Sequence, residues 1–133
     1  MIRVAVIDPQ PAVRAGLAAL LRSEPGLTPV GGAPGAAEGL LLLEQRRADV
    51  VVVDPELLGA DGLPYCRRLK ARERPPRVVV YTAAASEPAY AMGAEIAGAD
   101  AVVDKAEPAQ ALFEAIRRAG RSAGVLPALE PAA

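Results

Sequence analysis

The 133-residue chain contains no histidine, no tryptophan and only one cysteine, Cys66. Without histidine it cannot form a Cys/His zinc site, a Ser-His-Asp triad or a histidine-based acid–base pair. A single cysteine also excludes an intramolecular disulfide. These absences together exclude whole classes of enzyme.

An excess of charge and long apolar runs are lacking as well. The 15 basic and 16 acidic side chains give a net charge of −1, which argues against wrapping nucleic acid or binding an anionic membrane by bulk electrostatics. No stretch approaches the roughly 20 apolar residues that span a bilayer, and the first residues do not resemble a secretory leader. We therefore expect a cytoplasmic protein without membrane contact, and any contact with DNA would require another domain.

Hydrophobic residues are abundant at 52%, although aromatic residues make up only 3%, so the core must consist mainly of Val, Leu, Ile and Ala. A chain of this size buries about two-thirds of its unfolded surface, which is enough for one domain. Short, nearly all-apolar runs occur at residues 2–7, 50–53, 78–81 and 101–103, with a weaker one at 27–31. Strands that are apolar on both faces are typical of a parallel sheet covered by helices on both sides.

Helical spacing of apolar residues follows each of these runs, so strand and helix alternate five times. This alternation predicts an α/β fold, a flavodoxin-like (βα)5 doubly wound parallel sheet with strand order 2-1-3-4-5. Asp61 and Gly62 are predicted to cap the third helix, and Gly98 to end the fourth. Cys66 is predicted to be a buried hydrophobe. The glycine-rich residues 31–35 lack a phosphate-loop pattern and are predicted to form a turn.

Polar residues close the predicted central strands: Asp8, Asp54, Thr82 and the pair Asp104-Lys105. The carboxyl ends of parallel strands meet at one edge, where such sheets bind ligands. A lone aspartate at a strand end is more often a turn former or a helix cap. Paired carboxylates, a lysine and a hydroxyl together suit a phosphoryl group with Mg²⁺, since Mg²⁺ prefers oxygen ligands and lysine pairs with phosphoryl oxygens.

The runs IRVAVIDPQPAVRAGLAALL, DVVVVDPELLGADG, VVVYT and AGADAVVDKAEP resemble the receiver domain of bacterial two-component response regulators. The resemblance is closest to receivers of LuxR-type, NarL-like regulators, and it covers nearly all of the first 120 residues. It implies that Asp54 is the phospho-acceptor, that Thr82 is the switch hydroxyl and that Lys105 binds the phosphoryl group. It further implies that Asp8, Asp54 and the backbone carbonyl of Glu56 hold Mg²⁺.

Two residues depart from the family pattern. Pro9 stands where receivers carry the second acid of a pair, usually the direct metal ligand, so the resemblance implies weak or absent Mg²⁺ binding. The Glu56 side chain is a hypothetical substitute for the missing oxygen. Val102 occupies the position of the aromatic residue that normally responds to the switch hydroxyl, so the usual relay from Thr82 lacks its second member.

The resemblance implies a signalling domain and no enzyme. A histidine kinase would phosphorylate Asp54, and the domain would dimerise and control transcription through a DNA-binding output domain. Residues 1–119 are the predicted receiver, and residues 120–133 are a predicted linker toward that domain. The alternative is an atypical receiver that acts by phosphorylation-independent dimerisation or by binding a ligand or partner, as Pro9 and Val102 favour. A phosphatase-like or flavodoxin-like enzyme is disfavoured by the missing acid, the missing histidine and the lack of a flavin-phosphate loop after the first strand.

Overall fold

A computed structural model of the protein describes residues 1–122, so most of the predicted linker, residues 123–133, lies outside the described part. Five strands alternate with five α-helices, and one 3-10 helix is inserted after the third strand. In chain order the elements are β1 (Ile2–Ile7), α1 (Pro11–Ser23), β2 (Leu27–Ala33), α2 (Ala36–Gln45), β3 (Val50–Val53), the 3-10 helix (Pro55–Asp61), α3 (Gly62–Lys70), β4 (Arg77–Thr82), α4 (Pro88–Ile96), β5 (Ala101–Asp104) and α5 (Ala109–Ser122).

All strand pairs are parallel, and the sheet order is β2-β1-β3-β4-β5. The predicted fold class and strand order are therefore confirmed. The order reverses between β1 and β3, so the loops after these two strands lie side by side at the carboxyl edge of the sheet. No helix within residues 1–122 is long and apolar enough to cross a bilayer.

The core has two parts, one on each face of the sheet, because successive strand residues point to opposite faces. In β1, Val4 and Val6 join the cluster formed with α1 and α5, whereas Ala5 and Ile7 join the cluster formed with α2, α3 and α4. Every residue of β3 is buried. Apolar residues on both faces of the central strands thus account for the three-layer arrangement.

The prediction of a turn at residues 31–35 is wrong for its first half. Gly31, Gly32 and Ala33 belong to β2, which pairs with β1 through a bulge at Val30. Gly31 has φ = +147°, a value that favours glycine. The strand continues because β1 offers it hydrogen-bonding partners, and the last carbonyl, of Ala33, accepts the N–H of Asp8 at 3.0 Å. β2 therefore anchors the first residue of the candidate site.

Helix ends agree only partly with the predicted boundaries. α4 ends in a Schellman motif around Gly98 (φ = +105°), as predicted. Asp61 closes the 3-10 helix directly before α3, and the side chain on which its predicted cap depends lies outside the described part of the chain. α5 continues to Ser122, three residues past the predicted boundary at 119. A Cβ on Gly120 would lie 2.6 Å from Ile2 Cδ1, so glycine allows this last turn to pack against β1.

Cys66 is fully buried in α3, as predicted, and burial raises the pKa of its thiol to about 11. Only about one thiol in a thousand is ionised at about pH 8, and the thiolate is the reacting form. We expect a disulfide reagent to label native Cys66 at least a hundredfold more slowly than the urea-unfolded chain. Equal labelling rates would contradict its burial.

Gly39 and Tyr65 form a close contact between α2 and α3. A Cβ on Gly39 would overlap the Tyr65 hydroxyl, which is buried and has no hydrogen-bond partner among the described residues. We expect Gly39→Ala to lower the free energy of unfolding by about 1–2 kcal/mol through overpacking. Tyr65→Phe, which removes an unpartnered hydroxyl, should be neutral or stabilising.

The double variant tests the contact directly. In the Tyr65→Phe background, Gly39→Ala should cost much less, because the overlapping oxygen is gone. Urea unfolding of the four proteins gives the coupling free energy. If Gly39→Ala costs the same in both backgrounds, the two residues do not conflict as described.

Candidate functional site

Each strand that ends at the site carries a polar residue whose side chain accepts a hydrogen bond from the backbone N–H two positions later. The four pairs are Gln10 N to Asp8 Oδ1 (2.8 Å), Glu56 N to Asp54 Oδ1 (3.0 Å), Ala84 N to Thr82 Oγ1 (3.1 Å) and Ala106 N to Asp104 Oδ1 (2.8 Å). Such local bonds form because Asp and Thr side chains reach the next turn of the backbone. They fix the orientation of the side chains that face the site.

The ammonium group of Lys105 lies between two buried carboxylates. Its Nζ is 2.6 Å from Asp54 Oδ2 and 3.7 Å from Asp8 Oδ2. The Asp8 and Asp54 side chains are only 4% and 3% exposed, and that of Lys105 is 24% exposed. The Lys105 backbone N–H donates to the Thr82 carbonyl, and its ammonium lies 5.7 Å from the centre of the Tyr81 ring. Strand pairing and a cation–π contact thus direct the lysine into the site.

Asp8, Asp54, Thr82 and Lys105 therefore meet at one edge of the sheet. Asp54 uses Oδ1 for its turn and Oδ2 for the lysine, and Asp8 divides its two oxygens in the same way. Thr82 is fully buried at the end of β4. The arrangement combines a nucleophilic carboxylate, a cation and a hydroxyl donor, which are the groups needed to receive and hold a phosphoryl group.

The site also fits a magnesium ion, although with few donors. Two buried carboxylates and one ammonium leave one uncompensated negative charge, and burying it is costly without a further cation. Asp8 and Asp54 can supply carboxylate oxygens and Glu56 a backbone carbonyl, while Mg²⁺ ordinarily keeps several waters. Within residues 1–122, however, no three acidic or cysteine side chains lie close enough together to hold a metal. The exposed side chain of Glu56 is thus not grouped with the two aspartates.

Residues 4–117 match the family of response regulator receiver domains. The chain belongs to this family. It is 32% identical over 126 residues to the DNA-binding transcriptional activator DevR/DosR of Mycobacterium tuberculosis, a match that covers 95% of this chain and 58% of that protein. The crystal structure of a LuxR-family two-component response regulator from Aurantimonas sp. SI85-9A1 is 29% identical and has a TM-score of 0.81, covering 90% of this chain and 85% of that one.

A second group of relatives consists of protein-glutamate methylesterases/protein-glutamine glutaminases. The chain is 30% identical over 131 residues to protein-glutamate methylesterase/protein-glutamine glutaminase 3 of Shewanella oneidensis, covering 92% of this chain and 37% of that protein. The chain thus spans 58% of the length of DevR/DosR and 37% of the length of the methylesterase/glutaminase. It resembles the receivers of LuxR-type regulators, as predicted, and receiver domains generally bind Mg²⁺, interact with histidine kinases and often dimerise.

One further residue near the candidate site was not singled out in the sequence analysis. Tyr90 lies in α4, and its hydroxyl oxygen is buried without a hydrogen-bond partner in the described part of the chain. Burial, followed by the negative charges of Asp54 and Glu56, raises the pKa of this phenol to about 12. The sequence did contain a signal that could have pointed to Tyr90, because it is the only aromatic residue in the helix that follows Thr82. Val102, by contrast, packs against the apolar cluster and has no polar side-chain atom.

The lysine between the carboxylates predicts a non-additive effect on stability. Breaking a buried ion pair typically costs roughly 3–5 kcal/mol. We expect about 2 kcal/mol for Lys105→Met, because the lysine is partly exposed. Adding Asp54→Asn should recover much of that loss by removing an unpaired buried charge. Urea unfolding of both variants and of Asp54→Asn alone measures this coupling, and strictly additive effects would show that Lys105 does not neutralise Asp54.

Proposed function

We propose that this receiver accepts a phosphoryl group on Asp54, from a histidine kinase or from a small acyl phosphate. A carboxylate oxygen of Asp54 forms the new bond to phosphorus. The bond between phosphorus and the donor's leaving atom breaks, and that atom keeps the electron pair. The observation that carries the proposal is the short contact of Lys105 Nζ with Asp54 Oδ2, beside Asp8, in a buried site.

Lys105 and Thr82 have separate roles in this reaction. The ammonium of Lys105 neutralises charge on the equatorial oxygens as the phosphoryl group arrives, which preorganised charge does most effectively in a buried site. Thr82 Oγ1 already accepts the Ala84 N–H, so its own O–H can donate to a phosphoryl oxygen. This donor draws the loop after β4 toward the modified aspartate, which is the switch that the family resemblance implies.

Asp8, Asp54 and the backbone carbonyl of Glu56 are the proposed Mg²⁺ ligands. When bound, the ion would supply further neutralisation of charge on the phosphoryl oxygens. Pro9 removes one carboxylate, and a charge pair near 4 Å is worth about 4 kcal/mol at an effective dielectric constant of 20. A loss of ten- to a thousandfold in Mg²⁺ affinity follows, since about 1.4 kcal/mol corresponds to a factor of ten.

Output beyond the receiver is proposed from the relatives. We propose a cytoplasmic transcriptional regulator, not an enzyme, in which the receiver extends to the end of α5 at Ser122 and the residues that follow lead to a DNA-binding domain. Phosphorylation would favour a homodimer and so bring two DNA-binding domains together. The resemblance to DevR/DosR, of which this chain spans 58%, supports this output.

A second function is favoured by Pro9 and by the ion pair itself. Lys105 already compensates part of the charge of Asp8 and Asp54 without a metal or a phosphoryl group. With Val102 in place of the aromatic residue, the domain could instead dimerise or bind a partner independently of phosphorylation. Mass measurement separates the two functions.

Incubation with acetyl phosphate and Mg²⁺ should add one phosphoryl mass to the wild-type domain. Asp54→Asn is the matched control, because it keeps the shape of the side chain and removes the nucleophile. Intact-mass spectrometry reads the result. Equal phosphorylation of both proteins would place the acceptor elsewhere, and no gain in either would favour the phosphorylation-independent function.

Restoring the second acid should strengthen metal binding. We expect Pro9→Asp to bind Mg²⁺ at least tenfold more tightly than the wild type, because it adds a carboxylate beside Asp8. Pro9→Ala, which changes the backbone but adds no charge, should bind as weakly as the wild type. Glu56→Ala should leave Mg²⁺ affinity unchanged if only the backbone carbonyl is used.

Calorimetric titration of the four proteins with Mg²⁺ provides the measurement. Equal affinities of Pro9→Asp and Pro9→Ala would contradict the proposed weakness of the site. A marked loss in Glu56→Ala would instead assign the missing oxygen to that side chain.

A further inference from the structure

The hydroxyl of Tyr90 is buried, and no described residue accepts a hydrogen bond from it. Tyr90 lies in the first turn of α4, two residues after Pro88. Its ring packs against the same apolar cluster as Val102, while the hydroxyl oxygen is shielded from water and lacks a hydrogen bond. A buried donor without an acceptor loses its bond to water and gains nothing in return. The arrangement therefore favours any event that brings an acceptor to this hydroxyl.

The groups around the phenol belong mainly to the acceptor site. Burial, then Asp54, Glu56 and Cys66, raise the pKa of the phenol, and an interaction with the Thr82 hydroxyl opposes them without completing a well-formed hydrogen bond. With a pKa of about 12, the phenol keeps its proton at physiological pH and remains a donor. The phenol of Tyr65 is also buried without a partner in the described part of the chain, and Cys66 acts on it too, but its other charged neighbours are Arg68 and Arg72 and not Asp54 and Glu56.

Phosphorylation of Asp54 would supply the acceptor that is missing. A phosphoryl group carries three strongly accepting oxygens and close to two negative charges. It would arrive on Asp54, whose charge acts on the Tyr90 phenol, next to the hydroxyl of Thr82. Hydrogen bonds to charged groups are the stronger ones, and one formed in a buried site replaces no bond to water on the phenol side.

We propose that Tyr90 is a phosphoryl-sensing residue, whose hydroxyl donates a hydrogen bond to the phosphoryl group on Asp54 alongside the hydroxyl of Thr82. It would supply, from α4, the aromatic member of the switch that Val102 cannot provide. This inference rests on the proposed phosphorylation of Asp54. It goes further by linking the acceptor site to α4, whose residues Met92 and Ile96 are 63% and 71% exposed.

Beryllofluoride, a stable mimic of the phosphoryl group, provides the test at saturating Mg²⁺. We expect Tyr90→Phe to bind it about tenfold more weakly than the wild type, the effect of one lost hydrogen bond to a charged group. Tyr65→Phe is the matched control, since it removes the other unpartnered buried phenol and should bind as the wild type does. Asp54→Asn should not bind the probe at all.

A second readout reports on the phenol itself. With 3-fluorotyrosine at the three tyrosines, fluorine NMR follows the signal that Tyr90→Phe deletes. This signal should shift when beryllofluoride binds, whereas the Tyr65 signal should stay in place. Because it is measured in the otherwise unaltered protein, this readout does not depend on how well Tyr90→Phe folds.

The outcomes distinguish the role of Tyr90 from the phosphorylation of Asp54 on which it rests. Weaker binding by Tyr90→Phe alone, with a shift of the Tyr90 signal, supports the inference. Wild-type affinity in Tyr90→Phe and an unmoved Tyr90 signal would overturn it and leave phosphorylation of Asp54 intact. Failure of the wild-type protein to bind beryllofluoride would overturn both.

Discussion

The ammonium of Lys105 lies against the carboxylates of Asp8 and Asp54, which would otherwise repel each other. Two carboxylates, each less than 5% exposed, lie at the ends of the adjacent strands β1 and β3. Lys105 reaches them from the loop after β5, across the end of β4, because its backbone bonds to Thr82 and its side chain lies over Tyr81. The cation that lies against these carboxylates is the one that the proposed phosphoryl group requires. The packing of the site and its proposed function therefore share one contact.

The two interpretations of a strand-end aspartate prove compatible. Asp8 and Asp54 each form the local turn expected of an isolated aspartate, and each uses only Oδ1 to do so. The turn leaves the second oxygen facing Lys105. Turn formation is thus part of how the receiver orients its acidic groups, and Pro9 fits the turn although it removes an acid.

Predictions from the sequence succeeded where the signal was local and repeated. The apolar, β-branched runs and the alternating helices predicted the sheet order and both faces of the core. They failed where contacts with residues distant in sequence decide the local structure. Gly31 and Gly32 belong to a strand because β1 pairs with them. The last turn of α5, which reaches Ser122, forms where Gly120 packs against Ile2. The resemblance identified Asp8, Asp54, Thr82 and Lys105. It did not identify Tyr90, because the direction of a helical side chain depends on how α4 packs.

Phosphorylation of Asp54, in a site with only one acid after β1, is the proposal on which the other roles depend. Borohydride reduction of the domain treated with acetyl phosphate converts an acyl-phosphate aspartate to homoserine, and peptide mass spectrometry then locates it. The account predicts homoserine at position 54 and none at position 8. Reduction at position 8, or a protein in which every aspartate remains unmodified, would contradict it.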